Sequence, residues 1–315
     1  MEDGNETRVR EFHLLGFSSF HRFQPLLFVI ILFVYLITIT GNVVIILVVR
    51  METCLHSPMY LFISTLSVLE IAYISVTVPK LLTLLLGANP LVSFVGCFTQ
   101  VYMFHSLGIS ECVLLGVMAF DRYLAICKPL HYTTIMTSQS CIQLASFAWV
   151  MGFLDALIPT IFTARLRFCA SNQINHFFCD LAPLLNLACG DISFTAMVNT
   201  LVGGCSLIPL CLIVVFYVNI IWAILQIKTT EGRHKAFSTC SSHLIVAGLY
   251  YGSATIVYVI PKGSRSVEND KLIALMYAVF TPMLNPFIYS LRNKEVRHAI
   301  NKHVNRLKMT RTTLK

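Results

Sequence analysis

The chain has 315 residues, is 56% hydrophobic and only 12% charged, and has a mean hydropathy of +0.74. A soluble domain carries about twice that charged share, so a water-soluble globule is excluded and lipid is the expected surrounding. The net charge of +8 does not point to nucleic acid, because no stretch joins basic residues to base-stacking aromatics.

The chain opens "MEDGNETRVR", with no apolar stretch behind its basic residues. No cleavable signal peptide is therefore expected, and the first span acts as the signal. "NET" at Asn5–Thr7 is a glycosylation sequon, usable only on a lumenal side. A bilayer core about 30 Å thick asks for roughly 20 apolar residues per helical crossing. Seven stretches meet that demand. Gln24–Val49, Ile192–Ile227, Phe237–Pro261 and Leu272–Leu291 are uncharged. Pro58–Leu86 holds Glu70 and Lys80, Cys97–Phe120 holds Glu111, and Ser138–Thr163 holds Asp155. None alternates as a barrel strand would, so an all-α membrane protein with a seven-helix bundle is predicted. Pro79, Pro159, Pro209, Pro282 and Pro286 read as kinks. Residues 1–23 form an N-terminal segment, 24–291 the bundle and 292–315 a tail. In the tail, Val296, Ile300, Val304 and Leu307 line one side and basic residues the other, the pattern of a short amphipathic helix on an anionic leaflet.

Orientation follows from lysine and arginine near the spans. With the N-terminus outside, the inner side carries Arg50, Arg122, Lys128, Lys228, Arg233, Lys235 and eight residues of the tail. The outer side carries Arg8, Arg10, Arg22, Arg165, Arg167, Lys262, Arg265 and Lys271. Fourteen against eight favours N-out and C-in. Of eleven cysteines, four then fall at or beyond the outer boundary: Cys97, Cys169, Cys179 and Cys189. Four cysteines allow three pairings, and spacing alone does not choose among them.

Four motifs stand in order at the matching ends of spans two, three, six and seven: "LHSPMYLFISTLSVLE", "MAFDRYLAIC", "KAFSTCSSH" and "NPFIYSLRN". With these motifs, from about Phe17 to Arg297, the chain resembles the odorant receptors of the tetrapod class II type, within the rhodopsin-like G-protein-coupled receptors. The resemblance implies that Arg122 pairs with Asp121 at rest and is released toward a G protein when span six swings outward. Tyr123, Tyr217 and Tyr289 match residues of that switch, and Lys235 and His243 lie on the moving span. The resemblance also implies the bridges Cys97–Cys179 and Cys169–Cys189, and the plasma membrane as the chain's location.

Glu70 and Glu111 sit about mid-span, where a charge costs roughly 2.5–3.5 kcal/mol on the lenient scale. Two nearby carboxylates do not both ionise without a cation. The resemblance implies bound sodium around Glu70, with Asn42 and Asn285 lining the pocket; a proton shared by the acids is the alternative. "HFFCD" at His176–Asp180 is assigned no metal, and no other cofactor is expected.

The implied ligand pocket lies in the outer half of the bundle. Phe104, His105, Gly108, Ile109 and Cys112 share one face of span three. Tyr251, Ala254, Thr255 and Tyr258 do so on span six, with Val202, Cys205 and Ser206 from span five and Leu275 and Ala278 from span seven. Phe104 stands where amine receptors of this superfamily carry an aspartate, so the pocket reads as apolar with a few polar handles. Tyr258 is expected to meet either Asp180 or the ligand. The implied function is an odorant receptor, not an enzyme, that raises cyclic AMP through a stimulatory, olfactory-type G protein. A receptor of the same fold for a non-odorant metabolite is the nearer alternative. A transporter would show paired repeats with broken helices, and none is found.

Overall fold

The computed structural model describes residues 9–169, 171–258, 267–292 and 295–303, which leaves Asn5 outside. The first span is Gln24–Met51 and the second Pro58–Leu85. The third is Phe94–Cys127 and the fourth Ser138–Ala164. The fifth comes in two pieces, Ser193–Cys205 and Leu207–Leu225. The sixth is Thr230–Tyr258. The seventh joins Val267–Leu275, a π-turn at Met276–Phe280 and Thr281–Arg292. By length and composition, spans one to five and seven suit a membrane crossing. Span six has 29 residues but begins with a polar stretch.

Proline and short polar side chains set the helix ends. Pro25 and Pro58 stand in the first turns of spans one and two, where a missing N–H costs nothing. Ser93 caps span three by accepting from the Gly96 amide at 3.1 Å, and Thr137 caps span four by accepting from Ser140 at 3.2 Å. Pro209 lacks the N–H that would bond the Cys205 carbonyl four residues back, and span five breaks at Ser206. Pro282 follows the π-turn of span seven in the same way.

Three boundaries differ most from the sequence reading. Span three runs on to Cys127, span six begins at Thr230 and span seven begins at Val267, each beyond its apolar run. The backbone hydrogen-bond ladder continues into water after the apolar side chains stop, so apolarity marks the membrane portion and not the helix end. Asp121 and Arg122 therefore lie inside helix three, not at its tip.

Span three is the most buried of the candidate crossings and packs on spans two, four, five and six. Span four approaches it through Gly152, where a Cβ would fall 2.7 Å from the Ser110 backbone nitrogen. Only glycine allows that approach.

A small lid closes one end of the bundle, which we call the disulfide end. Strand β1 (Glu11–Leu14) pairs antiparallel with β2 (Leu91–Ser93), with Phe12 opposite Val92, and parallel with β4 (Gln173–Ile174). A second ribbon pairs β3 (Arg167–Phe168) with β5 (Ala188–Cys189). Phe12 and Leu14 alternate inward and form a second core with Phe98, Val101, Phe168 and Ile174. No strand was predicted from the sequence.

At the opposite end, which we call the arginine end, helix 295–303 folds back on the bundle. Val296 and Ala299 are buried. Tyr60 donates to Glu295 at 2.5 Å, and Lys302 donates to Glu52 at 2.9 Å. Val304 and Leu307, the rest of the expected apolar stripe, lie outside the described residues.

Candidate functional site

The loop after span four is tied down at two points. Cys97–Cys179 joins it to span three, with Cα atoms 5.5 Å apart, and Cys169–Cys189 closes it on itself. The first bridge brings Phe177, Phe178 and Asp180 over the bundle. Phe104 is buried there among rings, 4.7 Å from Tyr73, 4.8 Å from Phe178 and 6.0 Å from Tyr277 between centroids.

His105 finds Asp180. Its Nε2 lies 2.9 Å from Asp180 Oδ1, and a carboxylate only accepts, so Nε2 carries the hydrogen. Asp180 Oδ1 also accepts from the Leu181 amide at 2.8 Å. Burial alone would raise the Asp180 carboxyl, but the hydrogen bond and charge of His105, nearby His176 and the Leu181 amide hold it below the usual carboxylate range. Among the described residues, the side chain that Asp180 pairs with is His105. The Tyr258 side chain lies outside the described residues.

Span six reaches span three through three backbone carbonyls. Tyr250 donates to the Gly108 carbonyl at 2.7 Å and Tyr251 to that of Cys112 at 3.3 Å. His243 Nε2 lies 3.0 Å from the carbonyl of Leu115. Spacings of four and three residues keep these acceptors on one face of span three. Because Leu115 O only accepts, Nε2 bears the hydrogen, and Nδ1 of the neutral ring accepts from the Tyr217 hydroxyl at 2.8 Å. Spans three, five and six meet at that imidazole.

Other expected pocket residues fall as follows. Ile109, Val202, Ser206 and Thr255 are half-buried, and Leu275 and Ala278 are buried. Ser206 donates to the Gly203 carbonyl at 2.6 Å. Cys205 is a correction: it is exposed, the last residue of the first piece of span five, whereas the inward stripe of Ile213, Tyr217, Ile220 and Ile224 belongs to the second piece.

Near the arginine end, Asp121 is buried and Arg122 Nε donates to its Oδ2 at 3.0 Å. Tyr132, on the short helix Pro129–Ile135, donates to the other oxygen at 2.8 Å. Burial first, and then the Asp121 charge, push the Tyr132 hydroxyl up. Tyr123 packs on Phe216, 5.3 Å away. The Tyr289 hydroxyl is buried with no hydrogen-bond partner among the described residues. The Lys235 side chain lies outside them.

Between the two ends, Asn285 donates to Glu70, and Asn42 donates to the Thr38 carbonyl at 3.1 Å. Glu111 is buried as well. Glu70 Oε2, Asn42 Oδ1 and Asn285 Oδ1 are buried oxygens without hydrogen-bond partners among the described residues. Hard oxygen donors of this kind fit an alkali cation.

Lys271 was missed by the sequence reading, which counted it as an outer-loop charge. It is fully buried on span seven, where Nζ donates to the Gly16 carbonyl at 2.8 Å and to Glu268 at 2.9 Å. Gly16 holds φ +55°, which favours glycine. The lysine fastens the segment after β1 to span seven. Only the position of the last apolar run hinted at it. Tyr250 was missed too, because the face chosen on span six ran through Tyr251.

A sequence model of the olfactory receptor family matches residues 31–306. Olfactory receptor 6N1 of Homo sapiens is 44% identical over 308 residues, covering 98% of this chain and 99% of its own length. Olfactory receptor 10A5 of Homo sapiens is 47% identical, with 96% of each chain covered. Olfactory receptor 6B9 of Mus musculus is 48% identical, with 95% of each covered. Among solved structures, squid rhodopsin superposes with a TM-score of 0.68 at 16% identity, over 87% of this chain and 78% of its own, a likeness of fold.

The His105–Asp180 clasp gives a pH-dependent expectation. A carboxyl held below its unfolded value of about 3.9 contributes stability that is complete above that pH and is lost as pH falls through the folded value. Asp180→Asn should therefore lower the melting temperature of the purified protein at pH 7, at a cost of about 1–3 kcal/mol, and flatten the loss of stability below about pH 4. Unchanged melting at pH 7 with an unchanged acid limb contradicts the clasp.

Proposed function

The chain belongs to the olfactory receptor family, and from that premise we propose that it binds small, mostly apolar, volatile molecules and activates a stimulatory, olfactory-type G protein to raise cyclic AMP. It is a multi-pass membrane receptor of the G-protein-coupled fold and not an enzyme. On this reading the disulfide end and Asn5 are extracellular, Asn5 carries a glycan, and the arginine end faces the cytoplasm.

The observation that carries the reading is the division of span three. Its disulfide half presents Phe104 and His105 beneath the bridged loop. Its other half presents the Asp121–Arg122 pair on the same continuous helix. A ligand entering the aromatic half acts first on span six, whose Tyr250 and Tyr251 hydroxyls bond to span three. Cys112, Thr255, Tyr258 and Leu275 complete that half of the proposed pocket. Movement of span six then frees His243 and Tyr217, and Arg122 leaves Asp121 for the G protein. Tyr289, whose hydroxyl has no partner among the described residues, is positioned on this account to take a new partner. Lys235 and Tyr123 border the docking surface. An odorant of roughly 10–15 heavy atoms at about 0.4 kcal/mol each gains only about 4–6 kcal/mol, so dissociation constants from about millimolar to tens of micromolar are expected.

We assign a sodium ion, rather than a shared proton, to the space between Glu70, Glu111, Asn42 and Asn285, on the strength of the unpartnered oxygens there. These four side chains would hold it, and it would balance the charge of two buried acids.

Two experiments test this reading. In cells expressing the full chain, a panel of volatile molecules should include agonists that raise cyclic AMP, and Arg122→Ala should silence the response at matched surface expression. A full response from that variant overturns the role of Arg122, and solute flux without cyclic AMP favours a transporter. For the cation, sodium should raise the melting temperature of the purified receptor, and Glu111→Gln should abolish the effect. A melting curve indifferent to sodium in the unmodified protein supports the shared proton.

A further inference from the structure

A cavity of about 590 Å³ lies far from the ligand pocket, at the arginine end, between the turn that joins spans one and two and the start of span four. Its wall is mainly apolar: Leu61, Val68, Ile142 and Trp149 line it beside the small hydroxyls of Ser64 and Thr65, and Val68 and Ile142 are exposed on the outside of the bundle. Its mouth is polar and holds the fixed charge of Arg50, with the His56 imidazole, both exposed, and Ser57 beside it. Spans two and four both begin here, at Pro58 and Ser138, so the positive ends of two helix dipoles add to the charge. The Ser57 hydroxyl makes no capping hydrogen bond to span two.

The acidic inventory sharpens the case. Residues 49–68 and 136–149 contain a single acid, Glu52. That carboxylate is claimed from the far side: Lys302 Nζ donates to one oxygen at 2.9 Å, and His303 Nε2 lies 2.9 Å from the other. The Lys302 hydrogen bond, with the nearby charges of Lys302 and His303, holds Glu52 below the usual carboxylate range. The folded-back C-terminal helix thus engages the acid of this stretch, while its own Glu295 is held by the Tyr60 hydroxyl, and among the described residues no acid pairs with Arg50 or His56.

We propose that this cavity is a binding site for one anionic phospholipid, its phosphate headgroup at Arg50 and His56 and an acyl chain against Trp149 and Ile142. A site with an apolar wall open to lipid and a basic rim matches such an amphiphile at both ends, whereas a free phosphate would leave the wall unused. The inference rests on the membrane-spanning architecture and not on which odorant binds or which G protein responds, so its failure would leave the proposed function standing.

The chain's two tryptophans, Trp149 and Trp222, make the test direct. Trp222 is exposed on span five, and Trp222→Phe leaves Trp149 as the sole emitter. In detergent–lipid micelles, a brominated anionic phospholipid should quench Trp149 at a mole fraction about five-fold lower than brominated phosphatidylcholine. The double substitution Arg50→Gln, His56→Gln should erase that preference while the melting temperature stays within a degree or two of the parent. Unlabelled anionic phospholipid should relieve the quenching and inorganic phosphate should not. Equal quenching by the two lipids, an undiminished preference in the double variant, relief by phosphate alone, or relief by a sterol but not by anionic phospholipid would each overturn the proposal.

Discussion

A polar group inside a bilayer has no water to turn to, so it must find its partner within the protein. That constraint shapes the interior of this receptor. Span three supplies much of the answer, because a helical carbonyl has a second lone pair to offer after its own i+4 amide has bonded. Three of these carbonyls, at Gly108, Cys112 and Leu115, receive hydrogen bonds from Tyr250, Tyr251 and His243. Span six is strapped to span three along nearly two turns. At Gly108 there is no Cβ to hold the Tyr250 hydroxyl away; one built there would lie 3.3 Å from that oxygen. At Leu115 the imidazole passes the contact on to Tyr217 of span five.

The same constraint divides the molecule by function. At the disulfide end the polar groups are clasped beneath a lid: His105 to Asp180, and Lys271 to Gly16 and Glu268. Around them lie the rings of Phe104, Phe177 and Phe178, from which the proposed small apolar ligand would gain its few kilocalories. At the arginine end the polar groups include charges, and Asp121 serves Arg122 and Tyr132 at once, one through each carboxylate oxygen. A straps-and-clasps arrangement of this kind suits weak ligands. One hydrogen bond of about 1 kcal/mol is a large share of what the proposed ligand would gain, so on that reading the loss of one strap would be enough to shift the balance.

Much of this was legible in the sequence, for physical reasons. Seven apolar runs announced the bundle because a bilayer tolerates little else, and the motifs around Asp121 and Asn285 pointed to the family. Glu70 and Glu111 stood out because buried acids are costly. What escaped the sequence was whatever depends on contacts between distant segments. β1 is four residues long and pairs with partners some 80 and 160 positions away, so no local pattern marks it. Lys271 looked like a loop charge because its acceptor, the Gly16 carbonyl, lies 255 residues distant. Tyr250 and Tyr251 are neighbours in sequence, yet both reach span three. A single-face reading of span six kept only one of them. Cys205 was grouped with Val202 and Ser206 by its place on span five alone, and the break at Ser206, which leaves it exposed at the end of a helix, has no mark in that grouping.

The strap is tested most directly by the distance between its two helices at the arginine end. Spin labels at positions 126 and 234, on spans three and six, report that distance by pulsed electron resonance in the purified receptor without agonist. If the hydrogen bonds from span six to the carbonyls of span three set the resting arrangement, the unmodified chain should give one short, narrow distribution. His243→Phe, which keeps a ring of similar size but loses both of its hydrogen bonds, should broaden that distribution and shift weight toward longer distances, and an agonist should move the unmodified chain the same way. An unchanged narrow distribution in His243→Phe, with the protein folded and at the same melting temperature, would contradict the account.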